Sequence, residues 1–410
     1  MKTIYVNGGN PLNGDIYVSG SKNAALPIIF SCILTNGVSE IENLPDIGDV
    51  RVALSLLDSF GAVISKKGNI TFIDTTNLTF SEPDQKSVCA IRASTYLIGA
   101  CLSRFGKCPL MKFGGCNFSA RPIDMHIDAC EKLGARIQDG VILCDRLVGN
   151  EIRFNKASVG ATVNALLLAV SAEGETVIKG CAVEPHIDAL IDFLLSCGAE
   201  ITRCGRELRV AGKNLHGGRT KIIGDMIEAG SYLALSVMCE GNVRVFNAPV
   251  SDMSAVIKAF LDMGAELHID DFGGISVFSR EPKKLSVTAT PYPGFPTDLQ
   301  PIFAPLMAHF LGGEITDTVW ETRFGYLSRL SNFGVISEVA ENSATVYKSN
   351  IHKGVFASPD LRGGFAGLLC ALSAVGKSEI HSAEIILRGY EKLEEKLRTV
   401  GADIKITENY

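Results

Sequence analysis

Phe193-Leu194-Leu195-Ser196-Cys197-Gly198-Ala199-Glu200-Ile201-Thr202-Arg203 carries the pattern that decides the fold. A short amphipathic helical run ends in Gly-Ala, and a segment alternating at period two follows it. Glycine suits the left-handed position that closes a helix and turns the chain into a strand. The same signal occurs six times, once with Gly-Val in place of Gly-Ala. Its other instances are Leu56-Leu57-Asp58-Ser59-Phe60-Gly61-Ala62, Cys130-Glu131-Lys132-Leu133-Gly134-Ala135, Phe260-Leu261-Asp262-Met263-Gly264-Ala265, Leu330-Ser331-Asn332-Phe333-Gly334-Val335 and Leu397-Arg398-Thr399-Val400-Gly401-Ala402. The glycines lie about 68 residues apart on average, too far for the common solenoids.

Each repeat also holds an earlier helix made of small and apolar residues on nearly every face, as in residues 23–34, 161–172, 229–238, 303–311 and 364–375. A helix apolar all round is a buried helix. Each repeat therefore reads as strand, buried helix, strand, amphipathic helix, Gly turn and two strands. Three repeats sharing their buried helices make one domain, and six make two. The expected class is α/β (α+β), with residues 21–224 as one domain and residues 1–20 plus 225–410 as the other.

Polar residues collect where the buried helices begin: Ser21-Lys22-Asn23, Arg92-Ala93-Ser94, Lys156-Ala157-Ser158, Asp225 with Glu228, Thr297-Asp298 and Asp360-Leu361-Arg362. Ser, Asp and Asn are ordinary caps there. Capping does not explain Lys22, Arg92, Lys156 and Arg362, because a cation opposes the positive end of the helix dipole. Cations repeated at converging helix starts point to an anionic ligand held in a cleft between the domains.

Composition narrows the alternatives. The chain has 410 residues, 46% hydrophobic and 20% charged, and its 39 Lys+Arg against 45 Asp+Glu give a net charge of −6 with no basic stripe. That argues against a nucleic-acid partner. The longest apolar stretches, such as residues 24–34 and 165–172, fall short of the roughly 20 residues of a bilayer span. The first residues show no secretory signal, so a soluble cytoplasmic protein is expected. Twelve scattered cysteines form no CxxC pair and no zinc-like spacing with His, and most read as small buried hydrophobes.

Seven segments occur in a telling order: Ser19-Gly20-Ser21-Lys22-Asn23-Ala24-Ala25-Leu26-Pro27, Gly114-Gly115-Cys116 with Ala120-Arg121-Pro122-Ile123-Asp124, Ser158-Val159-Gly160-Ala161-Thr162, Phe295-Pro296-Thr297-Asp298, Arg323-Phe324, Asp360-Leu361-Arg362 and Arg388-Gly389-Tyr390. Over essentially its whole length the chain resembles the enolpyruvyl transferase family, in the branch that uses UDP-N-acetylglucosamine to open peptidoglycan synthesis. The resemblance implies a two-domain inside-out α/β barrel of six βαβαββ repeats. It also implies transfer of the enolpyruvyl group of phosphoenolpyruvate to the sugar 3′-hydroxyl with release of phosphate, and no metal or organic cofactor.

Residue roles follow from the same resemblance. Cys116 matches the family's proton donor, which also carries a phosphoenolpyruvate adduct and is alkylated by the epoxide fosfomycin. Lys112 and Arg121 nearby suit a thiol of lowered pKa. Asp298 matches the base, or charge stabiliser, beside the sugar hydroxyl. Lys22, Asn23, Arg121 and Arg388 match the phosphoenolpyruvate-binding set, with Arg323, Asp360 and Arg362 around the reacting centre. A guanidinium fork suits phosphate and carboxylate alike. Arg92, Arg121, Pro122, Asp124, Met125, Lys156, Ser158, Val159, Gly160, Asp298 and Val319 fall where the family holds the UDP-sugar. Met125 and Val159 also read as packing residues. Glu184 and Glu228 match supporting positions, and His126 reads as a satisfied neighbour of the loop.

Val183, Met226, Ile386-Leu387, Lys112-Phe113 and Gly363-Gly364 depart from the family's usual residues. They leave two alternatives open, a paralogous transferase with another acceptor and a non-catalytic binding protein of the same fold. The sequence does not specify the oligomeric state.

Overall fold

The computed structural model describes residues 2–114 and 122–408. The chain separates into two compact units, one of Met1–Ser19 with Gly224–Tyr410 and one of Gly20–Gly115 with Arg121–Ile223.

The first unit has three four-stranded sheets. One sheet runs Val355–Ala357, Gly376–His381, Lys2–Gly8, Asp403–Glu408, and a second runs Asn13–Tyr17, Asn242–Phe246, Ile275–Ser279, Ala265–Ile269. The third is Leu285–Ala289, Gly313–Asp317, Ser343–Tyr347, Ile336–Val339. In each sheet the first two strands are parallel and the later pairings antiparallel. Parallel neighbours need a crossover, and a helix supplies it. Gln300–His309 joins one such pair and Leu361–Ser373 another. In the pair of Asn13–Tyr17 and Asn242–Phe246 the chain traverses the whole second unit before returning through helix Met226–Met238.

These three helices pack on one another beneath the sheets. All but the first residue of Met226–Met238 is buried, as is all but the last of Leu361–Ser373. Each fully buried Leu, Ile or Phe contributes roughly 1.5–3 kcal/mol relative to exposure, so such helices are held by packing on every side. The strands instead alternate inward and outward, as in Asn242–Phe246 with Val243 and Val245 buried. Helices inside and half-solvated sheets outside invert the usual α/β barrel.

The second unit repeats the plan around its own core. Its four-stranded sheets are Arg219–Lys221, Val38–Glu42, Ile70–Asp74, Val63–Lys67 and Glu151–Arg153, Glu175–Lys179, Glu207–Ala211, Glu200–Cys204. A third sheet has three strands, Lys107–Pro109, Val141–Leu143 and Arg136–Gln138. Its buried helices are Lys22–Ser31, Leu97–Phe105 and Val159–Ala169.

All six turn glycines have φ between +84° and +99°, the left-handed region that the repeat requires. Three expectations need correction. The buried helices start two or three residues earlier than their apolar runs where a cap sits upstream. Ser158, Asp225 and Asp360 accept backbone N–H groups at those starts. The second repeat opens with a short helix, Gln85–Ala90, in place of a strand. The last repeat obtains its second hairpin strand from Lys2–Gly8. Among the described cysteines nine are buried, while Cys89 and Cys204 are exposed. No described helix is long and apolar enough to cross a membrane.

Candidate active site

In the first unit, Asp298 lies in the turn Thr297–Leu299 that leads into helix Gln300–His309. Arg323 Nη1 donates to its Oδ1 at 2.7 Å, and Arg362 Nε donates to its Oδ2 at 3.2 Å. Both arginines are buried. Arg362 sits in the first turn of helix Leu361–Ser373, where Asp360 Oδ1 accepts the N–H groups of Arg362 and Gly363. Its guanidinium lies 5.4 Å from the ring centre of Tyr390, whose hydroxyl meets Ser231 Oγ at 2.8 Å.

Burial works against the charge on Arg362, but Tyr390, Asp298 and Asp225 outweigh it and hold the guanidinium above its ordinary pKa. Asp225 caps helix Met226–Met238, accepting from Ile227 and Glu228 N–H. The starts of three buried helices therefore meet electrostatically at Arg362. Its Nη2 lies 3.2 Å from Asp298 Oδ2, and its Nη1 finds no hydrogen bond of good geometry among the described residues. A buried charged donor in that state is a receptor for an anionic oxygen.

Other expected residues of this unit lie around the cluster or apart from it. Val319 is half-buried and gives its N–H to Asp317 Oδ1 at 2.9 Å. Arg388 ends the turn Ala383–Arg388, two residues before Tyr390. Glu228 belongs to a separate tie. It accepts from Lys396 Nζ at 2.7 Å and from Ser19 N–H at 2.8 Å, and burial raises its pKa against the pull of Lys396.

In the second unit, Lys22 opens helix Lys22–Ser31 and places Nζ 3.3 Å from Asp49 Oδ2. Asn23 beside it is half-buried. Arg92 begins the turn Arg92–Tyr96, and burial lowers its pKa. Helix Asp124–Lys132 brings His126 into this region. Asn164 Nδ2 lies 2.7 Å from His126 Nδ1, 3.1 Å from Thr95 O and 3.4 Å from Gly160 O. The Asn164 amide oxygen is taken by Gly99 N–H at 2.7 Å, which fixes the amide orientation and makes His126 Nδ1 an acceptor. The imidazole is thus neutral with its proton on Nε2. Burial, aided by Arg92 and opposed by Asp124, pushes its pKa down to about 4.

A side chain at Gly160 would bring its Cβ within 3.0 Å of His126 Cε1, so glycine is the residue that admits the ring. Ser158 Oγ accepts Ala161 N–H at 3.3 Å as the cap of helix Val159–Ala169. Lys156 and Pro122 are exposed, and Met125 and Val159 pack partly against the core. Glu184 precedes helix Pro185–Ser196 with Oε2 buried and without a hydrogen bond among the described residues. Cys116 and Arg121 lie outside the described residues.

The structure thus joins Asp298, Arg323, Arg362 and Asp360 in one cluster, and Arg92, Asp124 and Gly160 around His126 in another. The sequence reading missed Asn164, Asp317 and Tyr390 as partners in these clusters, and Asp49 as the partner of Lys22. Asn164 had a usable signal, an amide inside an otherwise apolar helix. Asp317 had none, since an Asp closing a strand reads as a turn residue. No group of three or more His, Cys, Asp or Glu that could hold a metal occurs among the described residues.

Two α/β units with buried helices, and a buried guanidinium, Arg362, in the first turn of one of them, suit the enolpyruvyl transferase class of fold. The family of EPSP synthase (3-phosphoshikimate 1-carboxyvinyltransferase) matches residues 6–397, and the chain belongs to that family. It is 39% identical to a UDP-N-acetylglucosamine 1-carboxyvinyltransferase of Prosthecochloris aestuarii, covering 100% of this chain and 99% of that one. A protein of the same name from Halothermothrix orenii is 37% identical, with 99% of each chain covered. The crystal structure of the enolpyruvyl transferase NikO from Streptomyces tendae superimposes with a TM-score of 0.89 over 100% of this chain and 99% of that chain, at 24% identity, a likeness of fold.

Proposed function

We propose that this chain transfers the enolpyruvyl group of phosphoenolpyruvate to the 3′-hydroxyl of UDP-N-acetylglucosamine, the opening step of peptidoglycan precursor synthesis in the cytoplasm. Full-length relatives named for this activity support the acceptor. The observation that carries the chemistry is Asp298 gripped by Arg323 and Arg362 at the meeting of helix starts.

In the addition step the sugar oxygen bonds to C2 of phosphoenolpyruvate and gives up its proton to Asp298. Cys116 delivers a proton to C3, turning the methylene into a methyl group. In the elimination step C3 returns a proton to the Cys116 thiolate, the C2–O bond breaks with its electron pair leaving on phosphate, and the double bond returns in the sugar-linked product. Lys22, Asn23, Arg121 and Arg388 neutralise the phosphate and carboxylate of the small substrate. Arg362, buried with its Nη1 free of a well-formed hydrogen bond among the described residues, meets negative charge at the reacting centre. Arg92, Pro122, Asp124, Lys156, the Ser158-Val159-Gly160 helix start and Val319 hold the UDP-sugar. In this reading residues 21–224 and residues 1–20 with 225–410 serve as the two domains.

Phosphate release on mixing phosphoenolpyruvate with UDP-N-acetylglucosamine tests the reading directly. Turnover with another acceptor only would overturn the choice of sugar. Cys116→Ser is expected to lower kcat by about 10²–10⁴-fold, the usual range for a lost general acid. The same variant should lose covalent labelling by fosfomycin, read by intact mass.

A further inference from the structure

Asp317 is fully buried at the end of strand Gly313–Asp317. A buried carboxylate is costly to keep unless donors surround it. Here it has three. Oδ1 accepts the N–H groups of Val319 and Trp320 at 2.9 and 2.8 Å. Oδ2 accepts the Thr297 hydroxyl at 2.6 Å, the short range of a charge-assisted bond.

That last contact sets a direction. A hydroxyl has one proton, and giving it to Asp317 leaves Thr297 Oγ1 as an acceptor. Arg323 Nη1 donates to it at 3.1 Å, and the same nitrogen donates to Asp298 Oδ1 at 2.7 Å. The chain of contacts runs from Asp317 through Thr297 and Arg323 to Asp298. From its other oxygen the same carboxylate fixes the backbone at Val319.

We infer that Asp317 is a positioning residue that orients Thr297 and Arg323, and through them holds Asp298 in register with the segment at Val319. This role rests on the reaction proposed above. Removing the acceptor on Oδ2 turns the Thr297 proton toward Arg323 Nη1, donor against donor, and swings the guanidinium that clamps Asp298. The near-isosteric Asp317→Asn does this while Oδ1 keeps its two backbone contacts.

The test compares Asp317→Asn, Thr297→Val, their double variant and Thr297→Ser in the full chain, with kcat, KM and Tm measured for each. Displacing a reacting group by an ångström costs on the order of 10–100-fold, so Asp317→Asn and Thr297→Val should each lose about that in kcat. KM for phosphoenolpyruvate should stay near the wild-type value. The double variant should lose no more than either single, because both cut one chain of contacts, and Thr297→Ser should restore most of kcat.

Wild-type kcat in the single variants would overturn the role. So would losses that multiply in the double variant, or a loss that follows the unfolded fraction and vanishes on cooling. A wild-type protein releasing no phosphate from its two substrates would instead overturn the reaction, and this role with it.

Discussion

In the unit of Gly224–Tyr410 the starts of the buried helices are joined by charge, with Asp298 between Arg323 and Arg362 and Asp225 acting on the same guanidinium. In the unit of Gly20–Gly115 the corresponding region is joined mainly by neutral hydrogen bonds, from the Asn164 amide to Thr95, Gly160 and His126. The scaffolds are alike in both, down to the six left-handed glycines. The contrast teaches that a repeat fixes where polar groups gather, while the side chains at each helix start decide what the gathering does. Buried ion pairs are poor stabilisers, so one carboxylate clamped between two buried arginines, where the other unit has the single pair Lys22–Asp49, points to work other than holding the fold. A neutral amide network satisfies its groups and leaves the local field to Arg92.

Three experiments press on this contrast. The largest effect is expected at the charged cluster. Asp298→Asn keeps the shape of the clamp and removes the proton acceptor, so kcat should drop by about 10²–10⁴-fold. A variant with kcat near wild type would leave the charged cluster without a catalytic use and erase the contrast.

The neutral cluster should respond to pH instead. The His126 pKa lies near 4 in the fold, against an ordinary value of 6.5. The unfolded chain therefore takes up the proton at higher pH than the folded one. Stability from this group is full above about pH 6.5 and falls as pH drops toward 4, by up to about 3 kcal/mol. Urea melts between pH 7 and pH 4.5 should show that slope for the wild type and a shallower one for His126→Gln. Equal slopes would mean that His126 is not held neutral.

The smallest effect tests the shared scaffold. Gly61 and Gly401 have φ of +95° and +94° in different units. A Cβ at Gly401 would meet nothing within 4 Å, and one at Gly61 would lie 3.5 Å from Asn77 O. Gly61→Ala and Gly401→Ala should each cost about 1–2 kcal/mol through backbone strain alone, read as matched losses in denaturant melts. A clear mismatch would show that the repeats are less equivalent than their turns suggest.

Much of the scaffold is legible in the amino-acid order because its signals are local. The Gly turns, the all-apolar helices and the period-two segments each occupy a few consecutive residues. Strand exchange is different: nothing near Lys2–Gly8 announces a partner at residues 376–381, since backbone pairing carries no tag at that distance. The site divides in the same way. Asp298, Arg323 and Arg362 stand in recognisable segments, whereas Asp49, Asn164 and Asp317 matter through burial and the neighbour they hold. Those properties exist only once the chain has folded.

The first strand bears on how the molecule is made. Lys2–Gly8 hydrogen-bonds between Gly376–His381 and Asp403–Glu408, so this strand is synthesised long before the partners that flank it. During translation the stretch from Gly20 to Ile223 can settle while that strand waits with its backbone groups unpaired. Contacts of such long sequence separation form slowly. A ribosome that stalls before residue 376 leaves an open edge of the kind that recruits other chains.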